Sequence, residues 1–149
     1  MSWGPGSGVG AVLPTDAWDL LKTDPNARLI DVRTRAEWGF VGVPDLSELG
    51  HDLLLVEWAA WPDMSQNPRF VAEVQEALEG SDPSVLMFLC RSGVRSLSAA
   101  EAVGEAGLSG GQVPQLLNVA EGFEGDLDPD NHRGSINGWK ARGLAWGQL

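Results

Sequence analysis

At 149 residues, with 43% hydrophobic and 21% charged side chains, the chain has the size and composition of one globular domain that buries about two-thirds of its extended surface, which excludes a disordered chain. A formal net charge of -11 argues against nonspecific binding of nucleic acid, and a single cysteine excludes an internal disulfide. No Cys/His cluster has zinc spacing, and no apolar run approaches the roughly 18 residues of a membrane span.

The N-terminus has neither the basic start nor the apolar core of a signal peptide, so a cytoplasmic protein without membrane contact is expected. The first ten residues hold four glycines and read as a loose arm, 1–10, passing into a short strand at Ala11–Leu13. Thr15 is the expected N-cap of a helix over Asp16–Lys22, with Pro25-Asn26 at its exit. Ala27–Arg33 is the next strand, and Thr34 caps a short helix over Arg35–Phe40. Arg33 and Glu37 stand at i,i+4, the spacing of a surface ion pair.

Leu53–Val56 forms a third strand, from which Glu57-Trp58-Ala59-Ala60-Trp61-Pro62 departs. Both tryptophans are expected in the core, with a wall beside the site as the alternative. Asn67 and Pro68 open an amphipathic helix in which Phe70, Val71, Val74, Ala77 and Leu78 oppose Glu73, Glu76 and Glu79, and Gly80 ends it. Gln115–Val119 is the last strand. Asp126-Leu127-Asp128-Pro129-Asp130 starts like a calcium loop, but Asn131 replaces the required glycine and Asn137 the closing glutamate, so a solvated acidic loop is expected. His132-Arg133 in that segment could approach the site, although a lone exposed histidine is usually only a surface residue.

The chemistry concentrates in Val85-Leu86-Met87-Phe88-Leu89-Cys90-Arg91-Ser92-Gly93-Val94-Arg95-Ser96. An uncharged strand ends on the only cysteine, a glycine turn follows, and a helix opens near Arg95–Ser96 to run to Ala106, closed by Gly107. Strand, tight turn and helix N-terminus direct successive N–H groups at one point, a nest that favours an anion. Such surroundings and nearby arginines favour the thiolate, the nucleophilic form of a cysteine. A lone cysteine is by itself better explained by a buried structural thiol, and the flanks reverse this, because a core position needs neither two arginines nor a glycine turn.

Cys90-Arg91-Ser92-Gly93-Val94-Arg95-Ser96 resembles the active-site loop Cys-Arg-x-Gly-x-Arg of rhodanese-like sulfurtransferases of the bacterial single-domain type. Dual-specificity phosphatases share the fold with a loop one residue longer, a spacing that would place the arginine at Ser96. Leu29–Arg33 with Glu37-Trp38 resembles the family's first motif, Ala120-Glu121-Gly122-Phe123 a degraded Leu-x-Gly-Gly, and Gly138–Trp146 a tail that packs near the site mouth. The chain departs from Gly-His-Ile-Pro-Gly-Ala at Val41-Gly42-Val43-Pro44-Asp45, and an insertion, Leu46 to Asp52, follows.

Alternating strands and helices predict a mostly parallel sheet with helices on both faces, in one domain over 1–149. Asp31, Glu57-Trp58, Cys90 and Ala120-Glu121, at the C-terminal strand ends, are expected to ring one pocket. The resemblance implies a thiosulfate sulfurtransferase in which Cys90 carries a persulfide. Arg91, Ser92, Gly93, Val94, Arg95 and Ser96 form the substrate loop, and Asp31 and Arg33 support it. A small anionic sulfur donor and a thiol or protein acceptor are the expected partners, with no cofactor. A binding module without turnover and a cysteine-dependent phosphatase or arsenate reductase are the alternatives.

Overall fold

A computed structural model describes residues 8–108 and 113–149. The first seven residues of the expected arm lie outside that description. In chain order the elements are β1 (Val9–Val12), α1 (Pro14–Thr23), β2 (Ala27–Asp31), α2 (Arg35–Phe40), β3 (Val43–Pro44), a 3-10 turn at Ser47–Leu49, β4 (Leu54–Leu55), β5 (Ala59–Ala60), β6 (Ser65–Gln66), α3 (Phe70–Ala77), β7 (Val85–Leu89), α4 (Val94–Ala106), β8 (Gln115–Val119) and β9 (Trp146–Gly147).

Among the described residues the main sheet has five strands in the order β1-β8-β7-β2-β4, all parallel. β7 is its middle strand, and every residue in it is buried, as its uncharged sequence requires of a strand covered on both faces. Alternate side chains divide between two cores. Ile30, Leu86, Phe88 and Leu116 face α3 and α4 through Phe70, Val74, Ala99 and Val103. Leu29, Met87, Leu89 and Leu117 face α1 through Ala17 and Leu21, together with Phe123 and Trp139. Helices therefore cover both faces, as expected, and no helix among the described residues is long and apolar enough to cross a membrane.

Several boundaries differ from expectation for local reasons. Val9 and Gly10 are not part of a loose arm: both are buried in β1, which pairs with β8 from Val9↔Leu116 to Val12↔Val119. Pro14, not Thr15, sets the start of α1, since its fixed φ and missing N–H suit the first helical position. β2 ends at Asp31, where the Arg33 side chain folds back onto the carboxylate. α2 has the expected Thr34 cap, completed as a capping box by Glu37. The 46–52 insertion is anchored by buried Leu46 and by His51 Nε2, 2.6 Å from the Leu21 carbonyl.

Candidate functional site

Cys90 is the first residue beyond β7, and 1% of it is exposed. Its sulfur accepts the Gly93 N–H at 3.1 Å and lies 3.2 Å from the Ser96 hydroxyl. The same hydroxyl is 2.5 Å from Asn118 Oδ1, and its single proton serves only one acceptor at a time. Asn118 Nδ2 donates to the Gly93 carbonyl at 3.0 Å, which fixes the amide with its oxygen toward Ser96. Ser92 is half-buried and Val94 is 74% exposed, so their backbone rather than their side chains completes the loop.

The loop is locked to the exit of β8. Phe123 N–H donates to the Cys90 carbonyl at 2.8 Å, and Glu124 and Gly125 N–H both donate to the Arg91 carbonyl. Two glycines permit this approach. A Cβ on Gly93, where φ is +105°, would lie 2.2 Å from the Ala120 carbonyl oxygen, and one on Gly122 would lie 2.5 Å from that of Arg91. Gly93's left-handed φ also turns the chain into α4 at Val94, ahead of the expected start. Gly93→Ala is expected to lose at least ~3 kcal/mol, read from its urea midpoint, because backbone strain adds to a clash that must pull the loop from β8. Gly80→Ala is the comparison: its φ is +78° with open space around it, so only about 1 kcal/mol should be lost.

The charged residues take unequal roles. Asp31 and Arg33 are both fully buried and joined by Nε–Oδ1 at 2.9 Å and Nη2–Oδ2 at 2.6 Å. Arg33 Nη2 also donates to the Gly42 carbonyl at 2.7 Å, and the guanidinium lies 4.3 Å from the centre of the Phe123 ring. The departure at Val41–Asp45 thus supplies a carbonyl acceptor beneath the site. An Arg33–Glu37 surface pair does not form. Glu37 instead receives both ends of the Arg95 guanidinium, at 2.7 and 2.9 Å. Arg91 is exposed and has no ion-pair partner among the described residues. Of the two loop arginines, it alone has its guanidinium free for an anion.

Burial opposes charge on Glu37, but the Arg95 hydrogen bonds and charge, with the Thr34 bonds, outweigh it and hold the carboxyl below its usual range. For Arg95, burial is likewise outweighed by Glu37, and its pKa is raised. A lowered carboxyl pKa stabilises the fold above its unfolded-state value, about 4.3, and that contribution disappears as pH falls through the lower folded-state value. Glu37→Gln should therefore cost about 1–2 kcal/mol at neutral pH, with the gap from the parent protein closing below about pH 4.3 in urea titrations.

Outside the loop opens a cleft of about 1010 Å³ lined by Arg91, Arg95 and Glu37, by Phe40 and Val41, by Trp61 and Met64, and by Glu124, Leu127, His132 and Arg133. The expected ring of strand-end residues is corrected here. Asp31 is buried below, Glu57 accepts the Arg35 N–H at 2.9 Å, and Glu121 pairs with Arg142. Trp58 packs against Phe70 at 5.1 Å, as a core residue, whereas Trp61 is 67% exposed and forms a wall of the cleft. The acidic loop also lines the cleft. Asp128 accepts the N–H groups of Asp130 and His132 and the Ser135 hydroxyl, so that its acid organises a turn presenting His132 and Arg133 to the cleft. Among the described residues no group of three or more His, Cys, Asp or Glu could hold a metal ion.

The tail buttresses this arrangement: Trp139 and Lys140 N–H donate to the Gly122 and Phe123 carbonyls, and buried Trp139 donates from Nε1 to Ala145. Sequence reasoning passed over Asn118. The signal was present, since an amide inside the apolar strand Leu116-Leu117-Asn118-Val119 requires buried partners.

No family model matches the chain. It is 33% identical over 138 residues to the "Uncharacterized protein RP600 homolog" of Rickettsia rickettsii, covering 93% of this chain and 97% of that protein. The Rickettsia prowazekii protein RP600 is 30% identical over the same length. Among solved structures, Rv0390 from M. tuberculosis is 48% identical with a TM-score of 0.81, covering 94% of this chain and 98% of that one. The polysulfide-sulfur transferase homodimer of Wolinella succinogenes is 19% identical with a TM-score of 0.55, over 95% of this chain and 80% of its own. The last likeness is one of fold, and the fold is rhodanese-like.

Proposed function

The chain belongs to one family with the Rickettsia RP600 proteins and Rv0390, and from that premise we propose that it is a sulfurtransferase carrying sulfane sulfur on Cys90. The observation that carries this reading is the Cys90 sulfur itself: a lone thiol held by an N–H and a hydroxyl, on a loop whose Arg91 side chain is exposed in the cleft without an ion-pair partner among the described residues. The Cys90 thiolate attacks the outer sulfur of a thiosulfate-like donor. The donor's S–S bond breaks, sulfite leaves with the bonding pair, and Cys90 becomes a persulfide. That persulfide is an anion of the kind the Gly93 N–H and Ser96 hydroxyl stabilise. Arg91 attracts the donor and the leaving sulfite. Arg95, bound to Glu37, keeps the loop in shape, and the Asp31–Arg33 pair supports Phe123 beneath it. An acceptor nucleophile then removes the sulfur and restores the thiolate, with no cofactor in the cycle.

The test is intact mass spectrometry after incubation with thiosulfate and desalting. One added sulfur per chain, mapped to Cys90 and removed by cyanide, is the expected result. An unchanged mass with release of phosphate from an aryl phosphate would favour phosphatase chemistry, and an unchanged mass without it a binding module.

A further inference from the structure

A second cleft, of about 630 Å³, shares no lining residue with the one outside Cys90. Its volume lies within the roughly 300–1,000 Å³ of ligand-binding sites. The lining is acidic: among the described residues it sets Glu57, Glu73 and Glu76 against a single guanidinium, that of Arg35. Arg69 pairs with Glu76 where both are exposed, and Arg35, itself 86% exposed, approaches Glu57 only to 3.6 Å. Exposed pairs of this kind hold little. Glu73 has no ion-pair partner among the described residues. Asn67 Nδ2 donates to the Glu57 carbonyl at 2.9 Å and to Glu73 Oε1 at 2.6 Å, so the two acidic residues stand side by side.

The same cleft borders a sheet edge and a buried donor. Among the described residues β4 pairs only with β2, at the end of the sheet. Val56 N–H donates to the Asp31 carbonyl, so by strand alternation the N–H and C=O of Leu55 face away from β2. Leu55 lines the cleft and is 39% exposed. Trp38 lines it too and is 7% exposed, and its indole N–H has no acceptor among the described residues. A buried donor in that condition is stabilised by any occupant that brings an acceptor.

We propose that this cleft is a docking site for an extended, arginine-bearing segment of a partner protein. The segment adds as a strand along the free edge at Leu55. Its arginine enters between Glu57 and Glu73, where a planar guanidinium meets two carboxylates. One of its carbonyls accepts the Trp38 N–H, which the surrounding side chains enclose, so seating the segment parts them. A small cation has no backbone to pair with the edge. A second copy of this chain, at a net charge of -11, is repelled by an acidic cleft.

The probe is acetyl-Thr-Val-Arg-Val-Thr-amide, titrated into the whole chain and followed by NMR. Its dissociation constant should rise about tenfold when uncharged citrulline replaces the arginine, and about fivefold in Glu57→Gln and in Glu73→Gln. N-methylating alternate amides of the peptide should abolish binding for one set and spare it for the other, as an added strand requires. Leu55→Pro, which removes an N–H that β2 does not use, should cause the same loss. The Trp38 indole signal, assigned from Trp38→Phe, should move downfield on binding. Equal binding of the citrulline peptide, a Trp38 signal that stays in place, or no binding at millimolar concentration overturns the proposal. So does binding of N-acetylarginine amide as tight as that of the peptide, which assigns a small cation. A dimer of the free protein that the peptide disperses assigns a second copy of this chain, and overturns it equally.

Discussion

Cys90→Ser protein is expected to fold normally and to transfer no sulfur, with turnover lower by at least ~10³-fold. The substitution nearly preserves volume in a site that is 1% exposed, and a serine oxygen still accepts from Gly93 N–H and meets Ser96. Stability should thus change by less than about 1.5 kcal/mol. What disappears is a polarisable nucleophile able to hold a second sulfur, and the chain has no other cysteine to take over. Thiosulfate:cyanide turnover, read beside the thermal midpoint, separates the two effects. Residual turnover within tenfold of the parent would falsify the assignment of Cys90.

The second large effect concerns stability. Asp31→Ala is expected to cost about 3–5 kcal/mol, because it leaves the Arg33 guanidinium charged and fully buried with only the Gly42 carbonyl and the Phe123 face beside it. Arg33 Nη1 already lacks a partner, so little local polarity remains to take up the loss. Urea unfolding measures the effect. The double variant Asp31→Leu, Arg33→Met should recover much of it, since a buried pair contributes little beyond the apolar groups that could fill its space. A single-variant loss below about 1 kcal/mol would mean that water reaches Arg33 in the folded protein.

These residues also show what the sequence made legible. The Val85–Leu89 strand, the Thr34–Glu37 capping box and the strand-to-helix turn at Cys90 are local patterns, and each forms where it is written. Asp31 and Arg33 were legible as bracing residues through the resemblance of Leu29–Arg33 to the family's first motif, and the bonds between them are what the fold adds. The partner of Glu37 was not, since Arg95 is brought to it by the sheet and has no local spacing to announce it. The same holds for the contact of Gly122 with the Arg91 carbonyl, where a glycine needed for close approach looks like one needed for a turn. Trp61 was expected in the core on hydrophobicity alone, yet the β5–β6 ribbon holds it over the cleft.

The position of β1 has a consequence for how the molecule is made. Among the described residues β1 pairs only with β8, Val9 opposite Leu116. On a ribosome the first strand therefore emerges long before its partner has been synthesised, and must remain unpaired while α1 to α4 are added. Asn118, which holds the Gly93 carbonyl, comes with that partner strand, and Phe123, which holds the carbonyl of Cys90, is translated later still. A nascent chain halted before Gln115 thus carries the cysteine on a loop that lacks both of these bonds and keeps only its own, with the Arg95–Glu37 pair. The thiol acquires its ordered setting only near the end of translation, and pairing of such distant segments is slow as well as late.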